Sequence, residues 1–361
     1  MKKILFVLVI FLFPISWKVL ALTVDSKSLV AMDMDSKRVF YEINPDDERL
    51  IASTTKIMTA ILAIESNKLE DIVEAKEEIL TMYGTNIYLE YHEHMLLLDL
   101  IYGLMLRSGN DAAVVIASYV GGSVEGFVNM MNNKAKELGM TNTFFTNPTG
   151  LDDETENYST ARDLAILYSY AYQNATFRKI VSTTKYTTTT DYKSYVWLNR
   201  NELLSTYKYA TGGKTGYTPK AGRVLVTSAS KDDLNIVIAS FNSVYDYANQ
   251  ERIYEDIFDN YEKVMILDKD NFSLKNDRYD GTYYINNSFS YPLTENEEKQ
   301  ITRKVDLYDL ENVQNNDKVG EIYVYLNDEI LTKEDVYLRT EKLSLLDKIK
   351  NFFKNLLAFD S

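Results

Sequence analysis

Residues 52–60 read Ala52-Ser53-Thr54-Thr55-Lys56-Ile57-Met58-Thr59-Ala60, and the run stays apolar to Ile64. A hydroxyl stands three positions before an amine, at the head of a stretch that is apolar nearly all round. That is the pattern of a helix buried on every side. Spacing i, i+3 puts Ser53 and Lys56 on one helical face. Burial of the run desolvates Lys56, and desolvation favours the neutral amine, a base able to take the serine proton. The helix start adds a backbone N–H and a positive dipole end beside Ser53, a natural oxyanion donor. Taken alone, the pair also fits a simpler reading in which Ser53 caps the helix.

Two further motifs turn the pair into a candidate active centre. Ser108-Gly109-Asn110 supplies a hydroxyl to relay a proton to a leaving amine and an amide to hold lysine and substrate. Lys214-Thr215-Gly216 supplies a fixed cation and a hydroxyl suited to a substrate carboxylate. Gly216 allows close backbone approach. This motif is expected just before a strand that starts near Arg223. Each motif is weak singly; the three in this order are a strong joint signal.

Composition removes the usual competitors. The 361 residues contain no cysteine, which excludes a thiol nucleophile, a thiolate metal site and disulfides. The only histidines are His92 and His94. Two histidines at i, i+2 can share one face of a strand as a metal pair, but a surface turn is the simpler reading. No metal and no cofactor is expected. The formal charge of −14 argues against nucleic acid as a partner.

Outward from the motifs, the pattern is that of two folded units. Leu29–Met34 and Arg38–Glu42 flank Asp35-Ser36-Lys37 as a hairpin, and Arg223–Ala229 and Leu234–Phe241 flank Lys231-Asp232-Asp233 as a second. Apolar helical stretches lie between them at 57–64, 96–106 and 126–138, and Ile253, Ile257 and Tyr261 mark another. This order predicts an α/β (α+β) domain, a mainly antiparallel sheet with helices on both faces and a helical subdomain, over residues 22–262. Short β-rich runs at 283–285, 304–307, 321–326 and 336–338 predict a small all-β domain over 263–340.

The two ends carry targeting signals. Residues 1–21 combine Lys2-Lys3, a short apolar run and Val19-Leu20-Ala21, as a secretory signal peptide does; an uncleaved anchor is the alternative. In residues 341–361, Leu345, Leu346, Ile349, Phe352, Phe353, Leu356 and Leu357 form one stripe, with Lys348, Lys350 and Lys354 off it. That amphipathic helix either lies in a membrane plane or docks on its own domain.

The whole resembles the serine-type D-alanyl-D-alanine carboxypeptidases, the low-molecular-weight penicillin-binding proteins of peptidase family S11. The three motifs are the set known from penicillin-binding proteins and class A β-lactamases. The resemblance extends to Leu106-Arg107-Ser108-Gly109-Asn110-Asp111-Ala112-Ala113, Asn147-Pro148-Thr149-Gly150-Leu151, Tyr158-Ser159-Thr160-Ala161-Arg162-Asp163, Asn199-Arg200-Asn201-Glu202-Leu203-Leu204 and Gly213–Thr218. It implies a β-lactamase/penicillin-binding-protein-like transpeptidase fold with a C-terminal β-sandwich. It also implies that Ser53 is acylated, Lys56 is the base, and Ser108 and Asn110 complete the centre. Lys214 and Thr215 would bind the terminal carboxylate, Gly216 and Tyr217 would line the substrate beside them, and the N–H groups of Ser53 and Tyr217 would form the oxyanion hole. The implied substrates are peptidoglycan stem peptides ending in D-Ala-D-Ala, with β-lactams as covalent inhibitors. The terminal helix would attach the exported protein to the outer face of the cell membrane. Three positions depart from many relatives: Thr149 and the neighbourhood of Asn157 lack a histidine, and Thr211 lacks an acid. Among rivals, a class A-like β-lactamase needs a deacylating glutamate, and Glu154, Glu156 and Glu202 are the available ones. The other rival is a catalytically silent wall-binding protein.

Overall fold

The computed structural model describes residues 24–340; the expected signal peptide and terminal helix lie outside the described residues. Five antiparallel strands form the central sheet: β1 (Ser28–Asp33), β2 (Val39–Ile43), β3 (Ala210–Thr218), β4 (Gly222–Lys231) and β5 (Leu234–Phe241). Their order is β2-β1-β5-β4-β3, so the first and last hairpins of this sheet, β1–β2 and β4–β5, meet at its middle. Every residue of β1 is buried, because both faces of the sheet are covered. Alternation along the strands divides the core. Val30, Met32, Val237, Ala239 and Phe241 face one helical layer, while Leu29, Ala31, Ile236 and Ile238 face the other.

The first layer holds α1 (Lys56–Glu65), α2 (Asn110–Gly121), α3 (Val124–Glu137), α4 (Ala161–Tyr172) and α5 (Ala175–Ser182). Residues 56–64 of α1 are all buried, as their unbroken apolarity predicts. On the opposite face lies α6 (Asp246–Asn260), which buries Ile253, Tyr254, Ile257 and Phe258; Tyr261 falls just beyond its end, in extended backbone.

Below this domain a four-stranded antiparallel sheet, in the order β7 (Thr282–Ile285), β11 (Glu329–Arg339), β10 (Lys318–Leu326), β9 (Ile301–Leu307), joins a two-stranded sheet of β6 (Glu262–Leu267) and β8 (Phe289–Leu293). Ile266, Leu293, Val319, Val324, Val336 and Leu338 fill the space they enclose. Arg38, in the first hairpin, ties the two units. It donates to the carbonyl of Pro292 and to Glu297 Oε1, both at 2.6 Å, and lies over the ring of Tyr261.

The Lys214-Thr215-Gly216 motif precedes the strand at Arg223 as expected, but it is not in a connecting loop: it lies inside a strand of its own, the edge strand β3, with Thr215 opposite Leu225 and Gly216 opposite Val224. Gly212, Gly213 and Gly216 lower strand propensity and make the segment read as a loop. Pairing with the buried strand β4 overrides that local preference.

Candidate active site

Ser53 sits in a tight turn, Ala52–Thr55, that runs directly into α1. It caps nothing: the helical turn makes no side-chain cap. The Lys56 ammonium nitrogen instead reaches back one turn to Ser53 Oγ at 3.0 Å. It also donates to Asn110 Oδ1 at 2.8 Å and to the carbonyl of Thr149. Lys56 is wholly buried. Burial, reinforced by the Lys214 cation, drives its pKa well below the ordinary value of 10.5. A neutral amine at hydrogen-bond distance from a serine hydroxyl is the geometry of an activated nucleophile.

The turn is held by an unusual backbone. Ala52 adopts a left-handed conformation, φ 45°, sparsely populated for a residue with a Cβ. Its carbonyl is pressed against Gly150, where a Cβ would meet the Ala52 oxygen at 1.8 Å. On the other side strand β3 approaches so closely that a Cβ on Gly216 would stand 3.2 Å from the Ser53 nitrogen. Glycine at 150 is therefore a condition for placing Ser53, and glycine at 216 keeps the strand from crowding it.

Ser108 ends a π-helical turn, Gly103–Arg107, in a left-handed conformation, φ 65°. Its hydroxyl accepts from Lys214 Nζ at 3.1 Å, and Lys214 also donates to the Thr215 carbonyl at 2.7 Å. This bond joins the expected relay serine to the expected carboxylate lysine, a coupling that motif spacing does not reveal. Lys214 is 2% exposed, and burial, followed by the repulsion of Arg200, pushes it down to about 7. Tyr217, at the outer end of β3, is 67% exposed. Ser53, Ser108, Thr215, Gly216 and Tyr217 line one cleft of about 430 Å³; Lys56, Asn110 and Lys214 stand buried behind it. All eight expected site residues thus converge.

Three contributors were not foreseen. Arg200 lines the cleft and is exposed; its loop is fixed where Asn201 Nδ2 donates to the Gly212 carbonyl at 2.9 Å. The same loop is also held where Asn199 Nδ2 donates to the Val181 and Thr183 carbonyls and the Tyr247 hydroxyl to the Arg200 carbonyl, so its place at the cleft is set by contacts distant in sequence. Buried Asp111 accepts the N–H groups of Ile87, Leu89 and Ala112 at 2.9, 3.1 and 2.9 Å, anchoring residues 85–89 beside Asn110. Thr149 contributes its backbone oxygen rather than its side chain, so the missing histidine leaves the hold on Lys56 intact. Asn147 Oδ1 shapes that loop by accepting from the Thr149 and Gly150 N–H groups, and Asn157 ties it to Thr55 Oγ1 at 3.0 Å. Thr211 bonds Ser228 Oγ.

Among the described residues, none of the three candidate deacylating glutamates bonds Ser53 or Lys56. Glu156 pairs with Tyr158 and Lys220, and Glu154 and Glu202 are exposed. His92 lies in a turn with Nδ1 2.6 Å from Glu74, and His94 Nδ1 is 3.5 Å from Asp191. No group of three or more His, Asp or Glu residues among the described ones is disposed to hold a metal.

Comparison with known proteins gives the chain's relatives. A family model described as D-alanyl-D-alanine carboxypeptidase matches residues 16–244, and one described as penicillin-binding protein 5, C-terminal domain, matches residues 261–342. The chain is 37% identical over 225 residues to D-alanyl-D-alanine carboxypeptidase DacF of Bacillus subtilis, covering 61% of this chain and 58% of that protein. It is 34% identical to D-alanyl-D-alanine carboxypeptidase DacC of Escherichia coli, covering 60% and 56%. The matches thus span less than two thirds of these relatives' length. Among solved structures, a D-alanyl-D-alanine carboxypeptidase from Mycobacterium tuberculosis is 29% identical, with a TM-score of 0.62 over 65% of this chain and 91% of that one. Penicillin-binding protein 5 from Haemophilus influenzae shares the fold of both units, with a TM-score of 0.74 over 88% of this chain and 97% of its own at 24% identity. With a family model matched across the central sheet, the first helical layer and all three motifs, the chain belongs to the D-alanyl-D-alanine carboxypeptidase family.

Proposed function

We propose that the protein is an exported serine hydrolase that removes the terminal D-alanine from peptidoglycan stem peptides through an acyl-enzyme on Ser53. The observation that carries this reading is the 3.0 Å contact between Ser53 Oγ and a wholly buried Lys56 whose pKa burial drives well below its ordinary value. The peptide's carboxylate enters a positive corner, Lys214 with Thr215 and Arg200, in a protein whose net charge is −14. Ser53 Oγ attacks the carbonyl of the penultimate residue while its proton passes to Lys56 Nζ. The N–H groups of Ser53 and Tyr217 take the oxyanion. Collapse breaks the peptide bond, and the departing amine takes its proton through Ser108, which bonds Lys214. Water then cleaves the ester, with Lys56 again as base, and frees Ser53. Asn110 holds Lys56 and the substrate amide.

A β-lactam presents a strained amide and a carboxylate in the same relation, so it acylates Ser53 and is cleared slowly where no glutamate activates water. The leader at residues 1–21 and the amphipathic run at 341–361 support export and attachment to the outer face of the cell membrane. Mass spectrometry after penicillin treatment tests the reading: a covalent adduct is expected on the peptide holding Ser53. A Ser53→Ala protein that still released D-alanine would overturn it, and fast penicillin turnover would favour a β-lactamase.

A further inference from the structure

Strand β3 is an edge strand, so sheet pairing holds it on one side alone. Its other side faces the Ser53 turn. The hydrogen bonds to β4 set the register of β3, but not its distance from Ser53. The two oxyanion donors stand on opposite sides of that gap, the Ser53 N–H on the turn and the Tyr217 N–H on the strand. Gly216 permits the close approach, yet a glycine without a side chain holds nothing in place.

A buried bond spans the gap at the outer end of β3. The hydroxyl of Thr218, the residue after Tyr217, donates to Asp152 Oδ2 and accepts the Ala221 N–H at 2.9 Å. Thr218 is 8% exposed and Asp152 4%, so water competes little for this contact. Lys220 Nζ adds a more exposed strut by donating to the Asp152 carbonyl. Asp152 in turn belongs to the loop keyed to the nucleophile. In that loop Gly150 packs against the Ala52 carbonyl, the Thr149 carbonyl accepts from Lys56, and the Asn157 carbonyl accepts the Ile51 N–H at 3.3 Å. The mechanical path from nucleophile to strand therefore runs from the Ser53 turn through this loop to Asp152, then Thr218 and β3.

We infer that Asp152 and Thr218 are positioning residues that set the separation of the two oxyanion donors, and that they act on the transition state rather than on substrate binding. The inference rests on the proposed acylation of Ser53. An oxyanion donor is effective only at about 2.7–3.1 Å from the place the charged oxygen will occupy. A strand end free to drift takes the Tyr217 N–H out of that range. The carboxylate corner is held separately: Lys214 lies further inward along β3 and is tied to Ser108, a bond that does not pass through Asp152. Loosening the outer end of β3 thus weakens the oxyanion hole and leaves the hold on the peptide's carboxylate in place.

The test uses the full chain and measures kcat and KM for D-alanine release from Nα,Nε-diacetyl-Lys-D-Ala-D-Ala. It also measures the affinity for a peptide boronic acid, whose boron bonds Ser53 Oγ and places an oxygen in the hole as the transition state does. Thr218→Val keeps the volume and the β-branch but removes the hydroxyl. It is expected to lower kcat about ten- to hundredfold with KM changed by less than about twofold, and to weaken the boronic acid by the same factor as kcat. Asp152→Ala, which leaves the Ala221 contact intact, should act likewise. The double variant should be no worse than either single one, because both remove the same bond. Thr218→Ser retains the hydroxyl and should recover most of kcat. An unchanged kcat in Thr218→Val or Asp152→Ala, a loss carried by KM with the boronic acid unaffected, or additive losses in the double variant each overturn the positioning role and leave the hydrolase reading standing. An unaltered protein that releases no D-alanine overturns the hydrolase reading, and the positioning role with it.

Discussion

Replacing Lys214 with methionine should stabilise the protein while removing its carboxylate site, and the gain should depend on pH. Lys214 titrates near 7 in the folded protein against an ordinary 10.5, because burial penalises its charged form. The sign follows from linkage. Below about 7 both folded and unfolded chains hold the proton, and the folded state carries the full penalty, about 5 kcal/mol. Between 7 and 10.5 the folded state releases the proton first, so the penalty shrinks, to about 2 kcal/mol at pH 9. Methionine fills a similar volume without charge, but it forfeits the bonds to Ser108 Oγ and the Thr215 carbonyl, together about 2 kcal/mol. The net gain is therefore about 3 kcal/mol at pH 6 and near zero at pH 9. At roughly 2–4 °C per kcal/mol for a domain of this size, Tm should rise by about 6–12 °C at pH 6 and hardly at all at pH 9. Thermal melts of both proteins at the two pH values read this directly. A Lys214→Met protein that melts lower at pH 6, or whose offset is the same at both pH values, refutes the claim that Lys214 is held against its charge.

The same lysines predict the pH profile: kcat/KM should rise as Lys56 loses its proton and fall as free Lys214 loses its own, near pH 7, giving a bell whose alkaline limb disappears in Lys214→Met at the cost of KM. Gly150→Ala forces a Cβ to within 1.8 Å of the Ala52 oxygen at φ +85°, so the Ser53 turn must move; a displacement near 1 Å should slow acylation by fluorescent penicillin roughly 100-fold, and an unchanged rate would remove that contact from the account of the turn. Asp111→Asn faces three backbone N–H groups with one acceptor oxygen and an amide donor; it should lose roughly 3 kcal/mol in urea denaturation, and a loss below about 0.5 kcal/mol would show that residues 85–89 are anchored elsewhere.

The sequence by itself determined the parts whose signal is local. Ser53 and Lys56 lie one turn apart on one helix, so their meeting needs only the apolar run that makes 56–64 helical and buried. Both hairpins around 35–37 and 231–233 were legible because near-continuous apolar runs are broken by short polar turns, and they pair as expected. The tertiary structure decided what depends on residues far apart in the chain. Strand β3 carries three glycines and reads as a loop until its pairing with β4 makes it an edge strand aimed at Ser53. Arg200 is held at the cleft by long-range bonds of its loop, among them Asn201 to Gly212 and Tyr247 to the Arg200 carbonyl, and the bond between Ser108 and Lys214 spans 106 residues. The lowered pKa of Lys56 is likewise a property of the assembled core: desolvation comes from packing on all sides, and the Lys214 cation arrives from another strand. Local pattern specifies which groups exist and which helical neighbours they meet; burial and long-range contact specify their charge state and their reach.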